Sequence, residues 1–330
     1  MSKPRVGVVL FQLGGPDTPE AVEPFLYNLF CDPDIIDFPG AWLARRPLAW
    51  WISSRRAQKV REHYDAIGGQ SPIRKLTERQ ARRLEAALSH EYDIRCWTAM
   101  RYWRPFTQDA VAAVQSASLD YLILLPLYPH YSFATTVSSL KEWQRLYRPA
   151  PGSPEARTIE EFHVHPDYIQ AMTDRIETTF THFDHPEKVH LVFSAHGLPL
   201  SLIERGDPYQ RHIEETVKAV LARGGWRNAH TLCYQSRVGR QKWLEPSLHQ
   251  TLPRLAQAGE KYLAIVPVSF VTEHIEMLHE INMEAREEAL AAGVEQFEMV
   301  PAVGESPRFI GALADLVRSA VNQNVPSHAR

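Results

Sequence analysis

The 330-residue chain is long enough for two domains, and 44% hydrophobic with 23% charged residues is ordinary globular composition. Its 36 Lys and Arg against 39 Asp and Glu give a formal charge of -3, which argues against a general nucleic-acid binder. The longest apolar run, residues 121–129, is too short to span a membrane, and residues 1–10 pass into a strand pattern with no signal peptide. Three separated cysteines, Cys31, Cys96 and Cys233, argue against a disulfide scaffold or a zinc ribbon. These features predict a cytoplasmic enzyme.

Short apolar runs of strand length alternate with helical patterns along the whole chain. The predicted strands are residues 6–10, 94–98, 121–125, 189–193, 230–233, 262–266 and 297–300. The predicted helices are residues 80–88, 109–116, 168–180, 213–222, 252–258, 283–291 and 307–321. Strands that alternate with helices predict the α/β class, with doubly wound (Rossmann-like) parallel sheets.

The Pro- and Gly-rich segment 148–153 is the predicted linker between two lobes. It gives an N-terminal domain of residues 1–150 and a C-terminal domain of residues 151–330. The last predicted helix, 307–321, is a candidate to pack back on the first lobe.

The two halves of the sequence resemble each other. Residues 6–16 align with residues 189–199, and residues 121–129 align with residues 262–270. The alignment predicts two similar lobes whose strand C-termini line a shared cleft, because ligands of open α/β sheets bind at that edge. The chain has no GxGxxG, P-loop or GxSxG motif, which argues against a nucleotide site and a hydrolase elbow.

His196 follows the predicted strand 189–193, just before a Gly/Pro turn. A single histidine is more often a hydrogen-bonded structural residue than a functional one. Its place at the ligand-binding edge favours a functional role.

An acidic pattern follows the predicted strand 262–266. A helix is predicted to begin near Thr272–Glu273, where threonine can cap it. Its period would place five carboxylates on one stripe: Glu273, Glu276, Glu280, Glu284 and Glu287. The stripe is either a solvated helix face or a row that handles a cation or carries protons.

Aromatic residues and arginines follow the other predicted strands. They include Arg101, Tyr102, Trp103, Arg104, Tyr128, Tyr131, Tyr234, Arg237, Trp243 and Phe270. These side chains either pack in the core or surround a large flat hydrophobic ligand with anionic groups.

Eight ordered motifs resemble ferrochelatase, the enzyme that inserts Fe(II) into a porphyrin at the end of haem synthesis. They are LGGPDTPEAVEPFLYNLFCDPDII (13–36), IGGQSPI (67–73), MRYWRP (100–105), YPHYSFATTVSSL (128–140), FSAHGLP (193–199), RGDPY (205–209), YQSRVGRQKWLEPS (234–247) and VPVSFVTEHIEMLHEIN (266–282). The resemblance implies two similar lobes around a porphyrin cleft, with His196 and Glu276 as catalytic and metal-binding pair.

The resemblance also implies a set of residues around the macrocycle: Leu13, Arg101, Tyr102, Tyr128, Ser132, Trp243 and Phe270. Glu273, Glu280 and Glu284 are candidates for a proton or metal path. Metal insertion would release two protons, which a neutral histidine can accept. The opening of the first motif, residues 13–22, favours protoporphyrin IX over coproporphyrin III as substrate. The alternatives are a chelatase for another tetrapyrrole or metal, or a non-catalytic tetrapyrrole-binding protein.

Two departures from the family pattern concern cofactors and assembly. Several relatives bind a [2Fe–2S] cluster through four cysteines, but here no cysteine follows Cys233 and Phe133 occupies one ligand position. The resemblance implies Fe(II) as substrate, and these departures from the family pattern predict no resident cluster and a monomer. Arg104 replaces a histidine common in the animal enzymes, which leaves the role of that position open.

Residues 41–56 combine large apolar side chains with four arginines. The apolar set is Trp42, Leu43, Trp50 and Trp51, and the arginines are Arg45, Arg46, Arg55 and Arg56. Tryptophan with arginine is typical of a lipid interface, so the segment predicts reversible contact with the inner face of the cell membrane. The alternative is an amphipathic helix packed on its own lobe.

Overall fold

The computed structural model describes residues 2–33, 41–237 and 241–322. Its strands form two four-stranded parallel sheets, in the orders β2-β1-β3-β4 and β6-β5-β7-β8. The strands are β1 (Arg5–Gln12), β2 (Asp93–Met100), β3 (Tyr121–Pro126), β4 (Ala156–Thr158), β5 (His190–His196), β6 (His230–Gln235), β7 (Tyr262–Pro267) and β8 (Gln296–Met299). The predicted α/β class is confirmed, and each predicted strand lies within an observed strand or overlaps one.

Helices flank both sheets. They are α1 (Val22–Cys31), α2 (Ala41–Ala66), α3 (Ile73–Leu88), α4 (Thr107–Gln115), α5 (Ser138–Leu146), α6 (Pro166–Phe180), α7 (Leu200–Glu204), α8 (Tyr209–Gly224), α9 (Leu248–Gln257), α10 (Arg286–Ala291) and α11 (Pro307–Asn322). Two π-helical segments, Phe133–Val137 and Glu276–Ala285, lead into α5 and α10. None of the helices in the described ranges is both long and apolar enough to cross a bilayer.

The two lobes repeat one topology, as the internal sequence repeat predicted. In each sheet, the first strand lies between the second and the third, and a π-helical segment follows the third strand. The end of the second strand also folds alike in both lobes. Met100 N–H donates to the carbonyl of Pro105 at 2.7 Å, and Tyr234 N–H donates to that of Pro246 at 2.9 Å.

Each sheet buries both of its faces. The inner faces share one core, to which Leu10 of β1 and Phe193 of β5 contribute together with residues of α3, α6, α8 and α11. Val9 and Phe11 face a separate core with α4 and α5, while Val192 faces a core with α9 and α10. Apolar residues on both faces explain why these strands read as continuous hydrophobic runs.

The two halves of the chain are joined by polar contacts as well as by the shared core. Gln80 of α3, which has no solvent exposure, donates from Nε2 to the carbonyls of Val271 and Gly304, at 3.2 and 2.8 Å. Arg318 of α11 binds Glu91, which follows α3. The domain boundary at residue 150 stays a prediction; β4 lies beyond it and pairs with β3.

Candidate metal and porphyrin site

The backbone of His196, the last residue of β5, is held from two sides. Its N–H donates to Ser269 Oγ at 3.0 Å, and its carbonyl accepts a hydrogen bond from the Tyr209 hydroxyl at 2.9 Å. Gly197 follows, where a Cβ atom would lie 2.8 Å from the carbonyl oxygen of Gln235. The close approach of these two strand ends therefore requires glycine at position 197.

The imidazole of His196 is paired with the carboxylate of Glu276. Nδ1 of His196 lies 2.8 Å from Oε2 of Glu276, and the two side chains keep 34% and 26% exposure. Burial lowers the pKa of His196, but the charge and hydrogen bond of Glu276 outweigh burial and leave that pKa above its ordinary value. Burial raises the pKa of Glu276, but His196 and His274 outweigh it and hold that pKa well below its usual range. Glu276 is thus ionised beside a histidine that gains a proton readily.

His274 is a member of this group that the sequence analysis missed. Its Nε2 lies 3.7 Å from Oε2 of Glu276, and its Nδ1 donates to the carbonyl of Thr272 at 3.1 Å. The ring of Phe270 meets it edge-on, with centroids 4.3 Å apart. The available signal was its position two residues before Glu276.

The predicted stripe of five carboxylates from Glu273 to Glu287 is called the acidic row below. The helix that carries most of it begins later than predicted. Its first helical residue is Ile275, so the predicted start near Thr272–Glu273 is wrong. Thr272 lies three residues before this start, and its side-chain oxygen accepts a hydrogen bond from Gln12 Nε2 at 3.4 Å, across the two halves of the chain. Residues 276–285 then form a π-helix rather than the expected α-helix.

The five predicted carboxylates therefore have different surroundings. Glu273 precedes the helix, and its Oε1 accepts the N–H of Ala302 at 3.1 Å. Glu280 accepts the N–H of Ser236 at 2.8 Å and also its hydroxyl. Burial, together with the charge of Glu276, raises the pKa of Glu280. Ser236 adopts φ +64°, a left-handed conformation unusual for serine, which aims both donors at one carboxylate.

Glu284 lies at the exposed end of the row, beside two histidines that the sequence analysis did not single out. His279 Nδ1 is 3.7 Å from Glu284 Oε1, and the ring of His63 stacks on that of His279 at 4.0 Å. The potential ligand atoms of these three residues lie within 4.8 Å of one another. His63 belongs to the later part of α2, so the exposed end of the row is bounded by the helix that begins with the segment 41–56 predicted to contact lipid. Glu287 follows on α10 and is exposed.

Two of the predicted macrocycle residues lie beside His196. The ring centroid of Phe270 is 6.4 Å from that of His196. Trp243 forms an antiparallel bridge with Pro199, three residues after His196. Its indole Nε1 is buried and, among the described residues, has no hydrogen-bond partner.

A second group of predicted residues lies at the carboxyl ends of β1, β2 and β3. Tyr102 N–H donates to the carbonyl of Leu13 at 2.9 Å, and Tyr128 Oη lies 3.3 Å from Ser139 Oγ. Buried Asp32 binds both Arg101, at 2.8 Å, and the hydroxyl of Tyr102, at 2.7 Å. The guanidinium of Arg101 is therefore paired within the protein, and the ring of Tyr102 is fully buried.

Ser132 belongs to neither group. It is buried, and its hydroxyl donates to Oδ2 of Asp207 at 2.8 Å. The N–H of Phe133 donates to the same oxygen at 2.7 Å, and that of Tyr209 donates to Oδ1 at 3.0 Å. Asp207 thus joins the loop after β3 to the start of α8.

The described part of segment 41–56 is the beginning of α2. Trp50 and Trp51 are 62% and 48% exposed, and the guanidinium of Arg55 lies 4.4 Å over the ring of Trp51. The side chains of Trp42 and Leu43, which belong to the apolar set predicted to contact lipid, lie outside the described part of the chain. α2 packs on α1 through a small core that includes Leu26.

Comparison with known proteins identifies close relatives. The ferrochelatase family model matches residues 5–321. The chain is 46% identical over 323 residues to a ferrochelatase of Picosynechococcus sp., which covers 97% of this chain and 83% of the relative. It is 48% identical over 317 residues to a ferrochelatase of Gloeobacter violaceus, which covers 95% of this chain and 97% of the relative.

Two solved structures share the fold at low sequence identity. SirB from Bacillus subtilis with Fe3+ is 12% identical, with a TM-score of 0.58 over 97% of this chain and 96% of SirB. DR2241 from Deinococcus radiodurans, a multi-domain protein with structural similarity to chelatases, is 13% identical with a TM-score of 0.57. That match covers 98% of this chain but 56% of DR2241. At such identity, these similarities concern the fold alone.

Proposed function

The chain belongs to the ferrochelatase family and is a metal-chelatase lyase of haem synthesis; on that premise, we propose that His196 and Glu276 carry out the insertion of Fe(II) into a porphyrin. The observation that supports this assignment is the 2.8 Å contact between His196 Nδ1 and Glu276 Oε2 at a partly exposed sheet edge. An imidazole and a carboxylate offer nitrogen and oxygen to a divalent ion and leave its other positions open. Such a pair can hold iron without trapping it.

The same pair can account for the proton transfer. Insertion replaces two pyrrole N–H protons with the metal, so a base is needed beside the ring. Histidine suits this role because its ordinary pKa of about 6.5 lies near neutrality. The ionised carboxylate of Glu276 stabilises the imidazolium that forms when His196 accepts a proton, because opposite charges 2.8 Å apart attract.

The row beyond the pair is the proposed path for iron or protons. Glu280 stands next to Glu276 on the π-helix, and its raised pKa favours a carboxyl group that can take up a proton and release it. Glu284 with His279 and His63 forms the solvent-exposed end of this row. Glu273 stays a predicted member, although its carboxylate is engaged by the N–H of Ala302.

A matched pair of substitutions tests the assignment of Glu276. Glu276→Gln keeps the shape of the side chain but removes its charge, so turnover of porphyrin and Fe(II) under anaerobic conditions should fall about 100-fold or more. Glu287→Gln makes the same change on the exposed face of α10 and should leave turnover close to that of the unmodified chain. Equal losses at both positions would contradict the proposal, as would full turnover of Glu276→Gln.

For the macrocycle, Phe270 and Trp243 are the proposed contacts nearest to the pair. Aromatic faces suit a flat hydrophobic ring, and both side chains are only partly buried. Leu13, Arg101, Tyr102 and Tyr128, at the carboxyl ends of the first sheet, stay predicted contacts, as does Ser132, which binds Asp207. We propose protoporphyrin IX as the substrate, and direct competition with coproporphyrin III in one insertion assay tests this choice. Faster consumption of coproporphyrin III would refute it.

We propose that the chain works without an iron–sulfur cluster and as a monomer. Burial raises the pKa of the Cys96 thiol, and it raises the pKa of the Cys233 thiol to about 12. Neither thiol therefore favours the thiolate form that binds iron. Protein purified under anaerobic conditions should lack thiolate-to-iron absorption in the visible range. Sedimentation equilibrium tests the monomer, and a dimer at micromolar concentration would exclude it.

Reversible attachment to a membrane surface is proposed for the start of α2. The exposed indoles of Trp50 and Trp51 lie on a helix whose opposite side packs on α1. Burial of each indole in lipid would contribute roughly 1.5–3 kcal/mol, and each nearby arginine about 1 kcal/mol on an anionic surface. Such contact at the inner face of the cell membrane would place a poorly soluble porphyrin close to the acidic row.

A further inference from the structure

A second cluster of metal-ligating side chains lies where the segment before α6 meets α8. It consists of Glu161, His163 and His212. The two histidines are buried, and their rings stack with centroids 3.9 Å apart and planes 7° apart. Oε2 of Glu161 lies 3.7 Å from Nδ1 of His163 and 3.1 Å from Nδ1 of His212. Glu161 itself is at the surface, so the cluster can be reached from solvent.

The two Nδ1 atoms are the unusual feature of this cluster. Both are buried, yet within the described ranges neither makes a hydrogen bond, including with the nearby carboxylate of Glu161. Buried polar atoms are normally paired, so two unpaired nitrogens that approach one carboxylate oxygen call for a ligand. The potential ligand atoms of all three side chains lie within 4.8 Å of one another.

A carboxylate behind His163 orients its ring for metal binding. Nε2 of His163 lies 2.7 Å from Oε2 of Glu215, which makes Nε2–H the donor and leaves the lone pair on Nδ1. Metal-binding histidines typically donate their other ring N–H to a carboxylate in this way. Nε2 of His212 lies 3.4 Å from Nη2 of Arg211. The side chain of Arg211 is exposed and can turn away from His212.

We propose that Glu161, His163 and His212 bind a divalent transition-metal ion of the zinc class, at a site separate from the His196–Glu276 pair. Two imidazoles and one carboxylate are a common ligand set for Zn2+, with water in the remaining position. Bonds of about 2.0–2.2 Å in tetrahedral geometry require ligand atoms about 3.3 Å apart. The three atoms must therefore move closer, and the rings must leave their parallel stack because a metal lies in the plane of each ligating imidazole.

The ion would tie the segment before α6 to α8. Tyr209 on the same helix donates its hydroxyl to the carbonyl of His196, so a stiffer α8 supports the backbone of the proposed catalytic histidine. His130 lies behind the cluster, with its ring centroid 6.1 Å from that of His163. Its Nε2 lies 2.9 Å from the Thr216 hydroxyl, and its Nδ1 is buried without a hydrogen-bond partner within the described ranges. The proposed role of this ion is structural, and the ion takes no part in porphyrin chemistry.

Zinc titration of the full chain tests this site. Glu276→Gln and Glu284→Gln are included in the parent protein so that the acidic row contributes less to binding. Zn2+ affinity is measured by competition with a chromogenic chelator. In this background, His212→Gln should remove one zinc equivalent, and Glu215→Gln should weaken binding about 10- to 100-fold through the loss of its bond to His163.

Glu161→Gln is the third variant, chosen because an exposed side chain can change without loss of the fold. It should weaken zinc binding at least about tenfold. The control is Glu260→Gln, which alters a carboxylate 3.2 Å from Nδ1 of a single buried histidine, His190, and should leave binding unchanged. Anomalous diffraction from zinc-soaked crystals should show an ion between Glu161 and the two rings. Its absence there, or unchanged affinity in both Glu161→Gln and His212→Gln, would overturn the proposal.

Discussion

The buried carboxylate of Asp207 joins the two halves of the chain, and its removal should destabilise the fold strongly. Asp207 is 4% exposed and accepts hydrogen bonds from the Ser132 hydroxyl, the Phe133 N–H and the Tyr209 N–H. Asp207→Ala leaves the donors of Ser132 and Phe133 without this acceptor. A buried polar group left unpaired costs about 1–3 kcal/mol, so two such groups together with about 1 kcal/mol for the lost bond to Tyr209 give about 3–7 kcal/mol. Total stabilities of about 5–15 kcal/mol make this loss large.

Urea unfolding followed by tryptophan fluorescence measures the effect, since the chain contains 8 tryptophans. Asp120→Ala is the matched control. Asp120 also accepts three hydrogen bonds, at 2.8, 3.2 and 2.9 Å, all from Arg5, but both residues are exposed. Water can replace an exposed hydrogen-bond partner, so Asp120→Ala should shift the urea midpoint of unfolding much less than Asp207→Ala. Equal shifts for Asp207→Ala and Asp120→Ala would refute the argument from burial.

Two further predictions concern the membrane surface and the proton acceptor. Trp50→Ser combined with Trp51→Ser should abolish most co-sedimentation with anionic vesicles at low salt, because two exposed indoles are lost. Wild-type protein that stays in the supernatant under these conditions would contradict the membrane proposal. Turnover should fall as the pH drops through the pKa of His196, which Glu276 raises, because the neutral imidazole accepts the proton. A rate that stays constant on the acid side of neutrality would exclude this role.

Local patterns in the sequence predicted most of the sheet framework. Runs such as residues 121–125 are apolar on both faces, and this pattern identifies central parallel strands whatever lies around them. β4 was missed because its three residues, Ala156–Thr158, carry no such pattern and are a strand only through pairing with β3. The π-helix was missed because glutamates spaced by four residues fit an α-helical stripe as well as a π-helical one.

The parts of the site that depend on contacts between distant residues were not predictable from local pattern. Asp207 meets Ser132 across 75 residues of sequence, and no periodicity signals such a bond. Ser236 points both of its donors at Glu280 only because its backbone takes a left-handed conformation. His196 and Glu276 were predicted as site residues from strand ends and family resemblance, while the pairing of Arg101 with Asp32 emerged only from the fold.

The most direct test of the central assignment is anaerobic Fe(II) insertion by His196→Ala, measured together with porphyrin binding. If His196 accepts the pyrrole protons and holds the incoming iron, turnover should fall about 100- to 10,000-fold, while porphyrin binding by fluorescence and the unfolding midpoint stay close to wild type. His230→Ala, at the exposed start of β6, is the matched control and should keep full turnover. Full turnover of folded His196→Ala would contradict the account.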